Sequence, residues 1–266
     1  MKLSIDTWVI CKDLSLERII AASRAAGYAG VEFRSESDQK HGVELEATPV
    51  QRRDIRRKLE DAYLEASCIS TSQCLHWLDE ATLRASVDRA KRYVDLAAEI
   101  GCAAIRVFGD GDPIAPGSDS RDAVRRCGVA LREVAAHAEG TPVSVLLEMH
   151  GEFNYWRYAL GAVDCAGHAS AALNYNCDPR DLVAGSVQET YSRIRGRLRH
   201  VHIHELHAWN GKSAFPYVDL FGLLQQDGYD RYCSLEVGYQ GGDPEAVMTL
   251  YGALWRSQVA LAGALR

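Results

Sequence analysis

Four short segments in the second half of this 266-residue chain end in side chains able to hold a cation or move a proton. Val143, Val145 and Leu147 alternate with Ser144, Leu146, Glu148 and His150, so a strand here turns one apolar set outward and ends its other set on two ionisable groups. Asp178 follows Asn176 by two in the next segment, and His200, His202 and His204 alternate with Val201 and Ile203 in the third. Glu236 closes the fourth on the parity opposite to Leu235. A lone Asp or Glu at a strand end is ordinarily a helix cap or a solvated loop residue. Four such groups on the same parity point instead to one shared site. Carboxylates crowded into a partly dry pocket raise one another's pKa, and a divalent cation is the compact way to compensate. Three oxygen donors and one nitrogen donor, from Glu148, Asp178, His202 and Glu236, suit Mn²⁺ first, with Mg²⁺, Co²⁺ or a catalytic Zn²⁺ also compatible.

These segments belong to a pattern that runs the whole length of the chain. Short apolar stretches at Leu3–Asp6, Gly30–Phe33, Ser67–Thr71, Ala103–Phe108, Val143–Met149, Ala172–Cys177, Arg199–Glu205 and Cys233–Val237 each precede an amphipathic segment. Between the third and fourth, Leu83, Val87, Ala90, Val94, Ala97 and Ala98 recur at helical spacing, and Gly101 supplies the stop. The last helix opens on Asp243-Pro244-Glu245 and carries Val247, Leu250, Tyr251, Leu254 and Leu261 as its apolar stripe. Eight consecutive strand–helix pairs with no linker predict a single (β/α)₈ TIM barrel, one domain over residues 1–266; with fewer true strands an open doubly wound sheet would return. Barrel active sites gather at the C-terminal ends of the strands, where the ionisable groups fall.

The same residues resemble the xylose isomerase-like barrels of sugar isomerases, epimerases and related lyases. Gly30-Val31-Glu32-Phe33 is similar to that family's second-strand motif, and Leu147-Glu148-Met149-His150-Gly151 to its fifth. Asn174-Tyr175-Asn176-Cys177-Asp178-Pro179, His200-Val201-His202-Ile203-His204-Glu205 and Ser234-Leu235-Glu236 are similar to its sixth, seventh and eighth. The resemblance implies a divalent metal held by Glu148, Asp178, His202 and Glu236 over the vicinal oxygens of a sugar, with Glu148 and Glu236 as catalytic acid and base. It also implies a homo-oligomer, often a dimer or tetramer. Two positions depart from the pattern: His204 stands where Lys is common, and Arg180 where Asn or His is frequent.

A cation chelated by a carbonyl and its adjacent hydroxyl acidifies the neighbouring C–H and stabilises the enediolate formed when a base removes that proton. Returning the proton to the opposite face epimerises, shuttling it between carbons isomerises, and losing a β-substituent eliminates. The expected activity is therefore isomerisation or epimerisation of an unphosphorylated ketose or ketosugar, a neutral substrate being favoured by the lack of a phosphate cradle. The alternative is a lyase or dehydratase of a keto-sugar, keto-inositol or sugar conjugate. An endonuclease IV-like nuclease fits less well, because Asp181 stands three residues after Asp178 where that pattern has His; a non-catalytic sugar-binding barrel is the remaining option.

Substrate contacts are expected from His150, His204, His76, Arg106 and Trp8. His150 and His204 share the inward parity of the ligands, and either could equally hydrogen-bond behind them. Arg106, between Ile105 and Val107, needs a carboxylate inside the barrel, Glu32 or Glu148. Trp8, Phe108, Trp156 and Trp209 lie near strand ends, where an aromatic face can stack on a sugar or simply pack.

Several motifs fail inspection. Gly211-Lys212-Ser213 lacks the first glycine of a P-loop, since that position is Leu206; His204-Glu205-Leu206-His207 is one residue short of the zinc-protease spacing; Gly109-Asp110-Gly111 meets Ile114 where a dinucleotide fingerprint needs glycine. No nucleotide cofactor is expected. With 30 Lys+Arg against 36 Asp+Glu, a formal charge of −6, and no basic run, nucleic acid is not an expected ligand either. A composition 47% hydrophobic and 25% charged excludes disorder and collagen. Eight cysteines without a C-x-x-C pair read as reduced core thiols, and the absence of a signal peptide or a membrane-length apolar run makes a cytoplasmic protein the expectation, without a membrane partner.

Overall fold

The structure is a computed structural model that describes residues 1–115, 119–207, 215–238 and 242–265. Trp209 and the Gly211-Lys212-Ser213 motif lie outside the described residues.

Eight strands, β1 (Lys2–Asp6), β2 (Gly30–Arg34), β3 (Glu65–His76), β4 (Ala104–Gly111), β5 (Ser144–Glu148), β6 (Ala171–Tyr175), β7 (Leu198–Ile203) and β8 (Tyr232–Leu235), pair in sequence order and all in parallel. Pairing of β8 with both β7 and β1, through Leu3↔Cys233 and Ile5↔Leu235, closes the sheet. A helix follows each strand: α1 (Leu16–Ala26), α2 (Pro49–Asp61), α3 (Glu80–Ile100), α4 (Ser120–His137), α5 (Trp156–Ala166), α6 (Gln188–Ile194), α7 (Tyr217–Gln226) and α8 (Pro244–Ala264). The fold is a single (β/α)₈ TIM barrel. No helix among the described residues is long and apolar enough to cross a membrane.

Local chemistry sets the helix ends. Thr48 and Gln51 form a reciprocal capping box before Pro49, Asp243 accepts from the Glu245 and Ala246 amides, and α3 stops where Gly101 adopts φ 75°. The stripe read for α3 is buried at Val87, Ala90, Val94 and Ala97. In α8 the buried face is Val247, Met248 and Tyr251, whereas Leu250 and Leu261 are exposed. The shift follows Gly252, which packs so near the end of α1 that a Cβ would come 2.9 Å from the Ala26 carbonyl oxygen.

Strand parity divides the interior in two. Leu3, Ile5, Val31, Phe33, Ile69, Ile105, Val107, Val145, Leu147, Leu173, Val201, Ile203 and Leu235 join the core between sheet and helices. The opposite set lies inside the barrel: a small apolar floor of Cys68, Ala104, Leu146 and Ala172, a hydroxyl chain in which Ser67 and Ser4 contact at 3.0 Å and Ser4 and Ser234 at 2.8 Å, and above them Glu32, Arg106, Glu148, Asn174, His200 and His202, all buried. The bore is thus polar through most of its height.

All eight cysteines are free thiols and six are buried, which fits their reading as core residues. β3 is longer than the Ser67–Thr71 segment read from sequence. Its polar continuation stays beside β4 through register shifts after Ser70 and Cys74, with the Thr71 hydroxyl donating to the Arg106 carbonyl at 2.8 Å.

The loop after β2 contains a titratable core residue. His41 is buried; its Nδ1 accepts from the Val43 amide at 3.0 Å and its Nε2 donates to the Arg34 carbonyl at 3.1 Å. Burial lowers its pKa from 6.5 to about 4. The unfolded chain therefore binds a proton that the folded chain refuses, so the stability present above pH 6.5 is lost as pH falls toward 4. His41→Gln removes this titration and is expected to lose about 2 kcal/mol less than the wild type between pH 7 and pH 5. Urea unfolding of both proteins at the two pH values measures the difference.

Candidate metal centre

β5 ends on Glu148, which is buried beside Arg106 of β4, with Arg106 Nε 2.8 Å from Glu148 Oε2. Arg106 also donates to the Thr71 carbonyl at 2.7 Å and lies 4.0 Å from the centre of the Phe108 ring. Of the two carboxylates expected as its partner, Glu148 is therefore the one it meets. Burial alone would raise the Glu148 pKa, but Arg106 and then His202 overcome this and hold it at about 2.

His202 of β7 faces both neighbours with one nitrogen. Its Nδ1 lies 3.3 Å from Glu236 Oε2 and 3.7 Å from Glu148 Oε1. One donor atom each from Glu148, His202 and Glu236 falls within 4.8 Å of the other two, a span that donors roughly 2.0–2.6 Å from a common ion can occupy. The other nitrogen, Nε2, donates to Glu32 Oε1 at 2.9 Å, and His200 Nε2 donates to Glu32 Oε2 at 2.7 Å. Ser70 adds a short hydrogen bond to Glu32 Oε1. Burial works against charge on His202, but Glu32, Glu236 and Glu148 outweigh it and raise its pKa well above the usual value; the same imidazoles hold Glu32 well below the carboxylate range against its own burial.

This donor set fits a divalent ion. A metal-binding imidazole is neutral at the coordinating nitrogen and commonly donates from the other to a carboxylate, which is the disposition of Nδ1 and Nε2 here. Two buried oxygens beside the cluster, Glu148 Oε2 and Asn174 Oδ1, have no hydrogen bond, the contact from Arg106 to the former being ionic. Glu32, His200 and His202 form a second group of compatible spacing, but its three members are already bonded to one another.

Asp178 stands apart from the trio. It caps the short 3₁₀ turn Pro179–Asp181, and Arg180 grips both its oxygens, Nη2 at 2.7 Å and Nε at 3.0 Å. The Arg180 hydrogen bond is the main reason its pKa is lowered. Cys177, just before it, adopts φ 53°, so the chain leaves the ladder where the sequence pattern continues the strand.

His150 is half-exposed, its Nδ1 in a short contact with Asp110 that raises its pKa and its ring 4.9 Å from Phe108. His204 places Nδ1 3.0 Å from the Glu236 carbonyl and Nε2 2.7 Å from the Asn176 carbonyl, tying together the upper ends of β6, β7 and β8. His76 is buried at the end of β3 with Nδ1 2.8 Å from the Asp112 carbonyl, and Trp8 is 45% exposed in the loop after β1. The roles of Asp6, Ser70 and Asn174 are not apparent in the sequence pattern. Asp6 ends β1 buried, and burial, with Glu32 and Glu236 nearby, raises its pKa.

The sequence pattern of xylose isomerase-like TIM barrels matches residues 20–255. The chain belongs to that family. No curated protein matches it. Among solved structures, this xylose isomerase-like barrel is similar to an L-ribulose 3-epimerase at 18% identity, over 99% of this chain and 96% of that one, with a TM-score of 0.80. It is similar to the IolI protein with a bound zinc atom at 15% identity, over 98% of each chain, with a TM-score of 0.78. It is also similar to AsbF of Bacillus anthracis, a probable 3-DHS dehydratase of petrobactin synthesis, at 17% identity, over 96% of this chain and 99% of that one, with a TM-score of 0.71. At these identities the likeness is one of fold.

Glu32 is expected to act on the ion through His202. Glu32→Gln removes the charge that orients Nε2–H and should weaken Mn²⁺ or Co²⁺ binding by about 10–100-fold, the usual cost of losing such a partner. Chelator competition reads this, and unchanged affinity would assign Glu32 to the fold alone.

Proposed function

We propose that this barrel is a divalent-metal-dependent isomerase or epimerase of an unphosphorylated ketose or ketosugar. The observation that carries the reading is the approach of Glu148, from β5, and Glu236, from β8, to the same nitrogen of His202. Asp178 is proposed as the fourth donor, which requires it to exchange Arg180 for the ion. A bound divalent ion, Mn²⁺ by preference, would polarise the substrate carbonyl and offset the charge of an enediolate.

The two glutamates are unequal. Arg106 holds Glu148 at about 2, a weak base fixed in place, whereas Glu236 is the more accessible, with 13% of its side chain exposed against 2%. Glu236 accordingly removes the proton beside the carbonyl, and Glu148 serves the other face. His202, fixed by Glu32, sets the distance between them.

The epimerase and dehydratase among the similar folds support two outcomes of one proton abstraction. Incubating the Mn²⁺-loaded protein with a panel of ketoses, keto-inositols and keto-uronic acids in D₂O separates them. Deuterium uptake without loss of mass is the expected result; loss of water or an aglycone would move the assignment to a lyase. No uptake on any member of the panel would overturn the carbohydrate reading.

A further inference from the structure

Arg34, the last residue of β2, shares inward parity with Glu32 and stands one layer nearer the upper rim. It stands beside the centre described above through Ser70, whose carbonyl accepts from Arg34 and whose hydroxyl bonds Glu32, the carboxylate that meets His202. Nη1 donates to the carbonyls of Ser35 and Ser70, and Nη2 donates to the Ser72 hydroxyl at 2.7 Å. Nε–H and the second Nη2–H have no acceptor among the described residues.

Four other cations near this mouth among the described residues are matched. Arg106 meets Glu148, Arg180 meets Asp178, His150 meets Asp110 and Arg89 meets Glu36. Glu36, the acid closest to Arg34 in sequence, also binds the Gln73 side chain and the Ser72 amide, so its oxygens are committed elsewhere. No carboxylate among the described residues lies within ion-pair distance of Arg34, and the stretches outside them contain no Asp or Glu. A partly buried guanidinium held by neutral groups alone, with adjacent donors left over, is an arrangement completed by a planar anion from outside.

Taking the carbohydrate reading as its basis, we infer that the substrate carries a carboxylate, that it is a keto-aldonic or keto-uronic acid, and that Arg34 receives this group while the ketose end meets the metal centre. This replaces the neutral substrate expected from the absence of a phosphate cradle. A carboxylate suits two remaining donors of one arginine; a phosphate calls for more donors than Arg34 has free.

The test compares D-fructose, D-fructuronate and D-fructose 6-phosphate, which share the ketose end and differ at C6, by calorimetry on the Mn²⁺-loaded protein. Fructuronate is expected to bind about tenfold or more tightly than fructose, the worth of one charge-assisted pair. In Arg34→Gln the ratio of the two affinities should fall to about one, and Arg34→Lys should restore part of it; a role confined to holding Ser35 and Ser70 would leave the ratio unchanged. Equal binding of fructose and fructuronate, a preference that survives Arg34→Gln, or tighter binding of the phosphate would each overturn the inference. If no ketose binds, the carbohydrate reading fails, and propionate decides the anion site by itself. Thermal protection at matched ionic strength in the wild type but not in Arg34→Gln upholds the carboxylate site, and equal protection overturns it.

Discussion

Glu148→Ala is expected to cost about 3–5 kcal/mol of stability and to abolish tight metal binding together, because the side chain meets both a buried cation and the candidate metal position. Arg106 and Glu148 are each 2% exposed, so water cannot take over the missing charge. Removing one member of such a pair strands the other, whereas replacing both by apolar groups of similar volume is often tolerated. Arg106→Met with Glu148→Met should therefore recover most of the stability lost in Glu148→Ala, without recovering metal binding. Urea unfolding with metal titration on the wild type and the two variants separates the two roles. An unfolding midpoint in Glu148→Ala equal to that of the wild type would show that Arg106 finds another counter-charge, with Glu32 the nearest alternative read from the sequence.

The barrel and the inward side chains were legible because strand parity is local: a period of two assigns each side chain to the bore or to the helices without knowledge of the rest of the fold. Val145 and Leu147 against Leu146 and Glu148, or Val201 and Ile203 against His200 and His202, divide as their spacing requires. Parity says nothing about partners across the axis. Glu32 is recognisable as inward from its own strand, but its bonds to His200 and His202 join β2 to β7 and depend on barrel closure. Parity also carries no information past the end of the ladder. Asp178 follows the alternation of β6, but the left-handed Cys177 ends the ladder before it, and its pairing with Arg180, a residue that departs from the family pattern, is a contact that alternation alone does not supply. The lengthened β3 is a third case: the apolar segment read from sequence stops at Thr71, and it is pairing with β4 and the bond from Thr71 to Arg106 that carry the strand on to His76.

The polar bore explains why one carboxylate can be a fixture and the other a reagent. Glu148 is enclosed, neutralised by Arg106 and ends a hydrogen-bonded strand, whereas Glu236 lies just past β8 and meets His202 without an arginine of its own. Glu236→Gln, compared with the wild type at saturating Mn²⁺, is therefore expected to lower deuterium exchange at the carbon beside the carbonyl by about 10²–10⁴-fold, the usual contribution of a positioned general base. The amide oxygen can still approach an ion, so metal occupancy measured on the same sample should fall far less than the rate, and the comparison distinguishes loss of the base from loss of the site. Exchange above roughly a tenth of the wild-type rate, well short of that loss, would remove Glu236 from the role of base. If Glu148→Gln then lost exchange instead, the two assignments would be reversed despite Arg106. If neither variant lost it, the base would have to be sought among the other side chains at the mouth, beginning with His150, which stands two residues beyond Glu148 in contact with Asp110.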